Sequence, residues 1–159
     1  MEDPLLAASK KLQAILEENS TDIAAVGYLA FNNYPNGCCE ASTHFLAHYL
    51  VSRGLCKTDE IRMPWNNYDS EGLWDCFSHG WIMLRGGLNI DISANQFPGI
   101  EDKVIVSRDH EVHRRFVGGE VVSFEEHHRR LTCHDNGASF NRAWRIIEET
   151  EQVGSSNGG

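Results

Sequence analysis

The sequence predicts an α+β domain built on an antiparallel sheet. Three observations lead there. Apolar positions in the first third recur at helical spacing, and later segments are short β-branched or aromatic runs cut by Gly, Asn and Asp. The two kinds of segment also do not alternate as βαβ units would. A length of 159 residues suits one domain, and 41% hydrophobic with 23% charged residues is ordinary globular usage. Residues 1–153 are read as that single domain and the Gly/Ser/Asn-rich 154–159 as a flexible tail.

Leu5, Ala8, Leu12, Ile15 and Leu16 share one helical face, so residues 4–17 read as an amphipathic helix with Pro4 in its first turn. Residues 23–31 are apolar but of undecided type. The run Asn32-Asn33-Tyr34-Pro35-Asn36-Gly37 is a dense turn signal. Directly after it, Phe45, Leu46, Tyr49 and Leu50 predict a helix over 39–53, and Gly54 stands where a C′ glycine belongs. Strands are expected at 61–65, 80–84, 88–92, 104–107 and 120–124, with Gly86-Gly87 turning a hairpin between two of them. Phe140, Trp144 and Ile147 give a last helical face that ends before Val153.

The charge balance narrows the function classes. Lys+Arg number 14 against 23 Asp+Glu, a formal net charge of −9. Sequence-independent nucleic-acid binding rests on basic patches, and docking to anionic membrane surfaces does too, so neither partner is expected. No apolar run approaches the ~20 residues a spanning helix needs. The start, MEDPLLAASK, lacks a basic region followed by an apolar one and a cleavage site. A soluble cytoplasmic protein is the expectation. Five cysteines, an odd number with Cys38 and Cys39 adjacent, read as reduced thiols rather than a disulfide framework.

The strongest local feature is Gly37-Cys38-Cys39 at the mouth of a predicted helix. A thiol attacks a carbonyl as its thiolate, and a helix N-terminus favours that anion through its dipole and free N–H groups. The same N–H groups can hold the oxyanion that attack creates. Cys39 is the preferred nucleophile because the second position after the glycine falls on the helix. Cys38 is its competitor, and as a pair they could also be two small buried hydrophobes.

A second feature supplies a base. Ser78-His79-Gly80-Trp81 enters a strand, and Asn89-Ile90-Asp91-Ile92 follows across the hairpin. A cysteine nucleophile needs a base within hydrogen-bond reach and a third group to orient it. His79 and Asp91 fit those roles only if hairpin register puts them on one face. A two-residue loop pairs Ile82 with Asp91 and separates them. A three-residue loop, Arg85-Gly86-Gly87, pairs Leu84 with Leu88 and Trp81 with Asp91, leaving His79 diagonal to Asp91 on the same face. The triad therefore predicts an odd loop or a bulge. Otherwise His79 is a hydrogen-bonded strand histidine and Asp91 a solvated carboxylate.

This order of Cys at a helix start, His on a strand and Asp on its neighbour resembles the papain-like and transglutaminase-like cysteine enzymes. The segments YPNGCCEASTHFLAHYL and SHGWIMLRGGLNIDISANQF further resemble small bacterial transglutaminase-like proteins. Those carry a Phe/Tyr-Pro-x-Gly-x-Cys turn, a Ser-His-x-Trp strand and an Asp-x-Ser/Thr-Ala-Asp/Asn-Gln-Phe segment. The likeness spans about residues 34–97. It implies a papain/transglutaminase-like core with the nucleophile helix packed on the sheet, Cys39 as nucleophile, His79 as base and Asp91 as orienter. Gln96 is implied as a substrate- or structure-contacting group. Papain-like enzymes place a Gln before the nucleophile to help form the oxyanion hole; Asn32 and Asn33 occupy that region here, as substitutes or as plain turn residues.

The implied activity is acyl transfer or amide hydrolysis on a peptide, a protein amide or a small acyl substrate, with no cofactor. A non-catalytic partner-binding module with the same fold is the competing reading. Zinc is the third: His44 and His48 lie four apart, and Asp109-His110-Glu111-Val112-His113 offers further ligands. His44-Phe-Leu-Ala-His48 lacks the glutamate of the His-Glu-x-x-His motif, and no Cys-x-x-Cys occurs, so no metal site is expected. Glu125-Glu126-His127-His128-Arg129-Arg130 reads as a solvated, self-compensating surface segment. Trp65, Trp74 and Trp81 read as core, with one available to wall a cleft.

Overall fold

A computed structural model describes residues 1–74 and 78–157. Helix α1 (Pro4–Glu18) starts where the Asp3 carboxylate accepts the Leu5 and Leu6 N–H groups and Pro4 occupies the first turn. The undecided apolar stretch becomes α2 (Ser20–Ala25) and a 3-10 turn (Leu29–Asn33). Helix α3 (Cys39–Ser52) is the central element: Phe45, Tyr49 and Leu50 have no exposed surface and Leu46 is buried with them. It stops in a Schellman motif. Gly54, at φ 68°, sends its N–H to Val51, and Leu55 sends its own to Leu50.

The strands are β1 (Ile61–Trp65), β2 (Tyr68–Asp69), β3 (Ile82–Leu84), β4 (Asn89–Asp91), β5 (Ile105–Ser107), β6 (Phe116–Val117) and β7 (Glu120–Ser123). Five form an antiparallel sheet in the order β5-β4-β3-β1-β7, while β2 and β6 pair as a separate ribbon. Between and after them run α4 (Glu111–Arg115), α5 (Phe124–Thr132) and α6 (Ala138–Asn157). The fold is mixed α+β on an antiparallel sheet.

Alternation along the strands divides the apolar residues between two clusters. Ile61, Met63, Ile82, Ile90 and Val122 join the helices α1, α3 and α6 in the main core. Trp81, Phe97, Ile105, Val112 and Phe116 form a second cluster, with Trp74 packed against it.

Two expectations need correcting. The segment 125–130 is helix α5, not a plain surface run: the Ser123 hydroxyl caps it, and His127 on its inner side is fully buried. Its Glu126–Arg129 and Glu126–Arg130 pairs do compensate one another on the outer side. Helix α6 runs on past the end before Val153 that the sequence predicts and reaches Asn157, since extending a formed helix adds one hydrogen bond for each residue fixed; residues 158–159 of the expected tail lie outside the described residues. Cys76 lies outside the described residues.

Candidate active site

Register assembles the site. Ile82 pairs with Ile90 and Met83 with Asn89, and Leu84 donates to the Leu88 carbonyl. The hairpin loop is thus the three residues Arg85-Gly86-Gly87, with both glycines at positive φ, as a left-handed three-residue turn requires. Continued by one step, the same register sets Trp81 opposite Asp91. Since Ile82 and Ile90 point into the main core, Trp81 and Asp91 face the other way, and His79, two residues earlier, meets Asp91.

The contact is direct. His79 Nε2 lies 2.6 Å from Asp91 Oδ2, with both side chains inaccessible to solvent. Cys39 lies near enough to the same imidazole to add to its proton affinity. Asp91 is satisfied on every side: His113 Nε2 reaches Oδ2 at 2.8 Å, and Oδ1 accepts the Ser93 N–H at 2.9 Å. Burial alone would push the Asp91 carboxyl up, but the His79 charge and the His113 and His79 hydrogen bonds outweigh it and hold the carboxyl well below the ordinary carboxylate range. For His79 burial favours the neutral ring, yet the Asp91 charge and hydrogen bond, with help from Cys39, raise its proton affinity well above the ordinary imidazole range.

Three further devices bring the helix mouth to the strand. Gln96 accepts the Gly37 N–H on its Oε1 at 3.2 Å, donates from Nε2 to Ser93 O at 3.0 Å, and holds Nε2 3.4 Å from His79 Nδ1. One side chain so ties the Gly37 turn to the histidine. Asn67 accepts the His79 N–H at 3.2 Å and fixes the backbone before β3. Gly80 permits the approach of α3: a Cβ there would meet the Glu40 carboxylate at 3.2 Å.

The predicted residues separate clearly. Cys39, His79 and Asp91 come together, with Gln96 beside them. Cys38 caps α3, is 1% exposed in the main core, and has its thiol pushed up to about 12, by burial first and then by Cys39. It packs as a small hydrophobe. Asn33 sits exposed on the 3-10 turn, where its carbonyl accepts the Asn36 N–H, and no hydrogen bond among the described residues links it to the triad. Trp81 is 5% exposed, stacks on His113 with centroids 4.6 Å apart, and donates its indole N–H to Asn89. It walls the His79–Asp91–His113 group.

Sequence reasoning missed His113, Asn67 and Ser93 as parts of this site. In the sequence the segment 109–113 reads only as a source of further metal ligands. That His113 turns inward follows from α4, whose N-cap His110 accepts the Val112 N–H and seats Val112 in the second cluster. Asp69 is a further structural anchor. It accepts the Glu71, Leu73 and Trp74 N–H groups and a two-pronged contact from Arg115, whose guanidinium also lies over the Trp74 ring.

No helix among the described residues is long and apolar enough to cross a membrane. No family model, curated protein or solved structure matches the chain.

Proposed function

We propose that this chain is a cysteine-dependent acyl-transfer or amide-hydrolysing enzyme with a papain- or transglutaminase-like core. The observation that carries the reading is the line of groups from Cys39, which acts on the His79 imidazole, to the buried Asp91 carboxylate 2.6 Å from that ring. A solitary strand histidine needs no such line, and a buried carboxylate aimed at its far nitrogen is what fixes tautomer and orientation in a nucleophile–base pair.

The mechanism follows from these atoms. His79 holds the proton given up by the Cys39 thiol, and the sulfur attacks the carbonyl carbon of an amide or ester. The tetrahedral oxyanion is held by N–H groups of the first turn of α3, which have no intrahelical acceptor. Collapse expels the amine or alcohol, which collects the proton from His79, and leaves an acyl thioester on Cys39. Water or a second amine then attacks the thioester, giving up its proton through His79. Asp91 stays ionised and stabilises the imidazolium; its buried, fully hydrogen-bonded position keeps it so. This chemistry needs no cofactor.

The substrate proposed is a peptide, a protein side-chain amide or a small acyl compound. Cys38, Cys39, Cys56 and Cys133 are all free, which suits a reducing compartment such as the cytoplasm. The test is mass spectrometry of an adduct trapped on Cys39 in cell extract. An acyl group on Cys39 that is absent from the His79→Ala chain supports the reading and names the substrate class. A Cys39 that stays unmodified while exposed Cys133 is labelled contradicts it.

A further inference from the structure

A second histidine cluster lies outside the triad. Helix α3 places His44 and His48 one turn apart, and α5 carries His128 to them from eighty residues later in the chain. His44 Nε2 stands 2.9 Å and His48 Nε2 3.0 Å from one atom, His128 Nδ1. The three ring nitrogens lie within 4.8 Å of one another. The geometry points to a divalent transition-metal site of the zinc class formed by His44, His48 and His128.

Hydrogen bonding alone serves this cluster poorly. A neutral imidazole nitrogen either donates one hydrogen or accepts with one lone pair, so His128 Nδ1 can fully satisfy only one of its two partners. A cation accepting three lone pairs satisfies all of them at once. Zinc–nitrogen distances of about 2.0–2.1 Å in a tetrahedron put ligand nitrogens about 3.4 Å apart, so the contacts need widen by only a few tenths of an ångström.

Three imidazoles without carboxylate or carbonyl oxygen select zinc, cobalt, nickel or copper over calcium and magnesium. Apolar walls hold the rings: Phe140 lies 4.6 Å from His44 and 4.7 Å from His48, and Phe124 4.6 Å from His48, measured between centroids. His48 and His128 are half-buried, which leaves a route for solvent and a fourth position for water. His44 Nδ1 has no hydrogen-bond partner among the described residues. Nothing prevents its proton from residing there, but the missing outer acceptor lowers affinity about 10–100-fold relative to a buttressed three-histidine site.

The experiment titrates the full chain, freed of metal by chelator, with Zn2+ and separately with Co2+. The expected result is one metal per chain, a visible Co2+ spectrum of four-coordinate intensity without sulfur charge-transfer bands, and a thermal midpoint raised by about 5–10 °C at a hundredfold excess over Kd. His48→Gln and His128→Gln each weaken binding at least about tenfold, while Cys39→Ser and His79→Gln bind as the parent does. Sulfur charge-transfer bands, absence of binding, equal binding by the His48 and His128 variants, or loss in the Cys39 or His79 variants each overturn the assignment. The parent chain's Co2+ spectrum decides even if a variant fails to fold.

Discussion

Replacing Asp91 by asparagine keeps the side chain's shape and removes its charge. Every partner of this carboxylate is a donor: His79 at 2.6 Å, His113 at 2.8 Å and the Ser93 N–H at 2.9 Å. An asparagine must therefore turn its own NH2 towards one of them. The larger loss is electrostatic. Unit charges with centres about 4 Å apart attract by about 4 kcal/mol at an effective dielectric of ~20, equivalent to about three pKa units. With that attraction gone, only the smaller Cys39 contribution opposes burial at His79, and its proton affinity falls. Alkylation of Cys39 by iodoacetamide at about pH 6, followed by peptide mass mapping, falls about 100-fold or more as a result.

The pH dependence of stability has a definite sign. His79 has a raised folded value, so its contribution is complete below the unfolded value and fades as pH climbs through the folded one. Asp91 has a depressed folded value, so its contribution is complete above the unfolded value and fades as pH falls through the folded one. The stability gap between the parent and Asp91→Asn is widest at about pH 4–6.5 and narrows far to either side. An alkylation rate within about threefold of the parent at pH 6, in a variant that remains folded, would refute the reasoning.

Three other outcomes are expected. Gln96→Ala releases the Gly37 N–H and leaves Ser93 O with the backbone N–H of residue 96 as its partner, costing about 1–3 kcal/mol for two lost side-chain hydrogen bonds; thermal unfolding reads that loss, and Cys39 alkylation slows with it. Gly119→Ala sets a Cβ 2.2 Å from Trp65 O and 2.5 Å from the Asn67 N. The strand end must move, so the midpoint drops by several degrees and the Asn67 hold on the His79 backbone loosens, again visible in alkylation. Cys38→Ala removes a buried sulfur at a cost of about 1 kcal/mol and leaves Cys39 reactivity unchanged; a large loss of reactivity would make Cys38 part of the chemistry.

Local signals made much of this molecule legible. Asp3-Pro4 and the apolar stripe after it define α1, Gly54 marks the end of α3, and Gly86-Gly87 admits the three-residue loop whose register unites His79 with Asp91. Where recognition failed, burial was carried by polar residues. Helix α5 hides His127 and Thr132 rather than a hydrophobic stripe, and α4 turns His113 inward against a carboxylate. Such faces have no apolar period to read, because pairing rather than hydrophobicity makes their burial favourable. The ribbon of β2 and β6 is two residues long on each side and joins segments 47 or more residues apart, so propensity marks neither strand. The three-histidine cluster is of the same kind: one helix shows two of its members, and the third arrives through tertiary packing alone.

The most direct test of the central claim, that Cys39 is a nucleophile served by His79, is acylation by an activated aryl ester followed by intact and peptide mass measurement. The account predicts one acetyl group per chain on the sulfur of Cys39 after p-nitrophenyl acetate treatment, released on standing, and none there in Cys39→Ser or His79→Ala. Acetyl groups found only on surface lysines or on Cys133, or an undiminished Cys39 adduct in the His79→Ala chain, would contradict it.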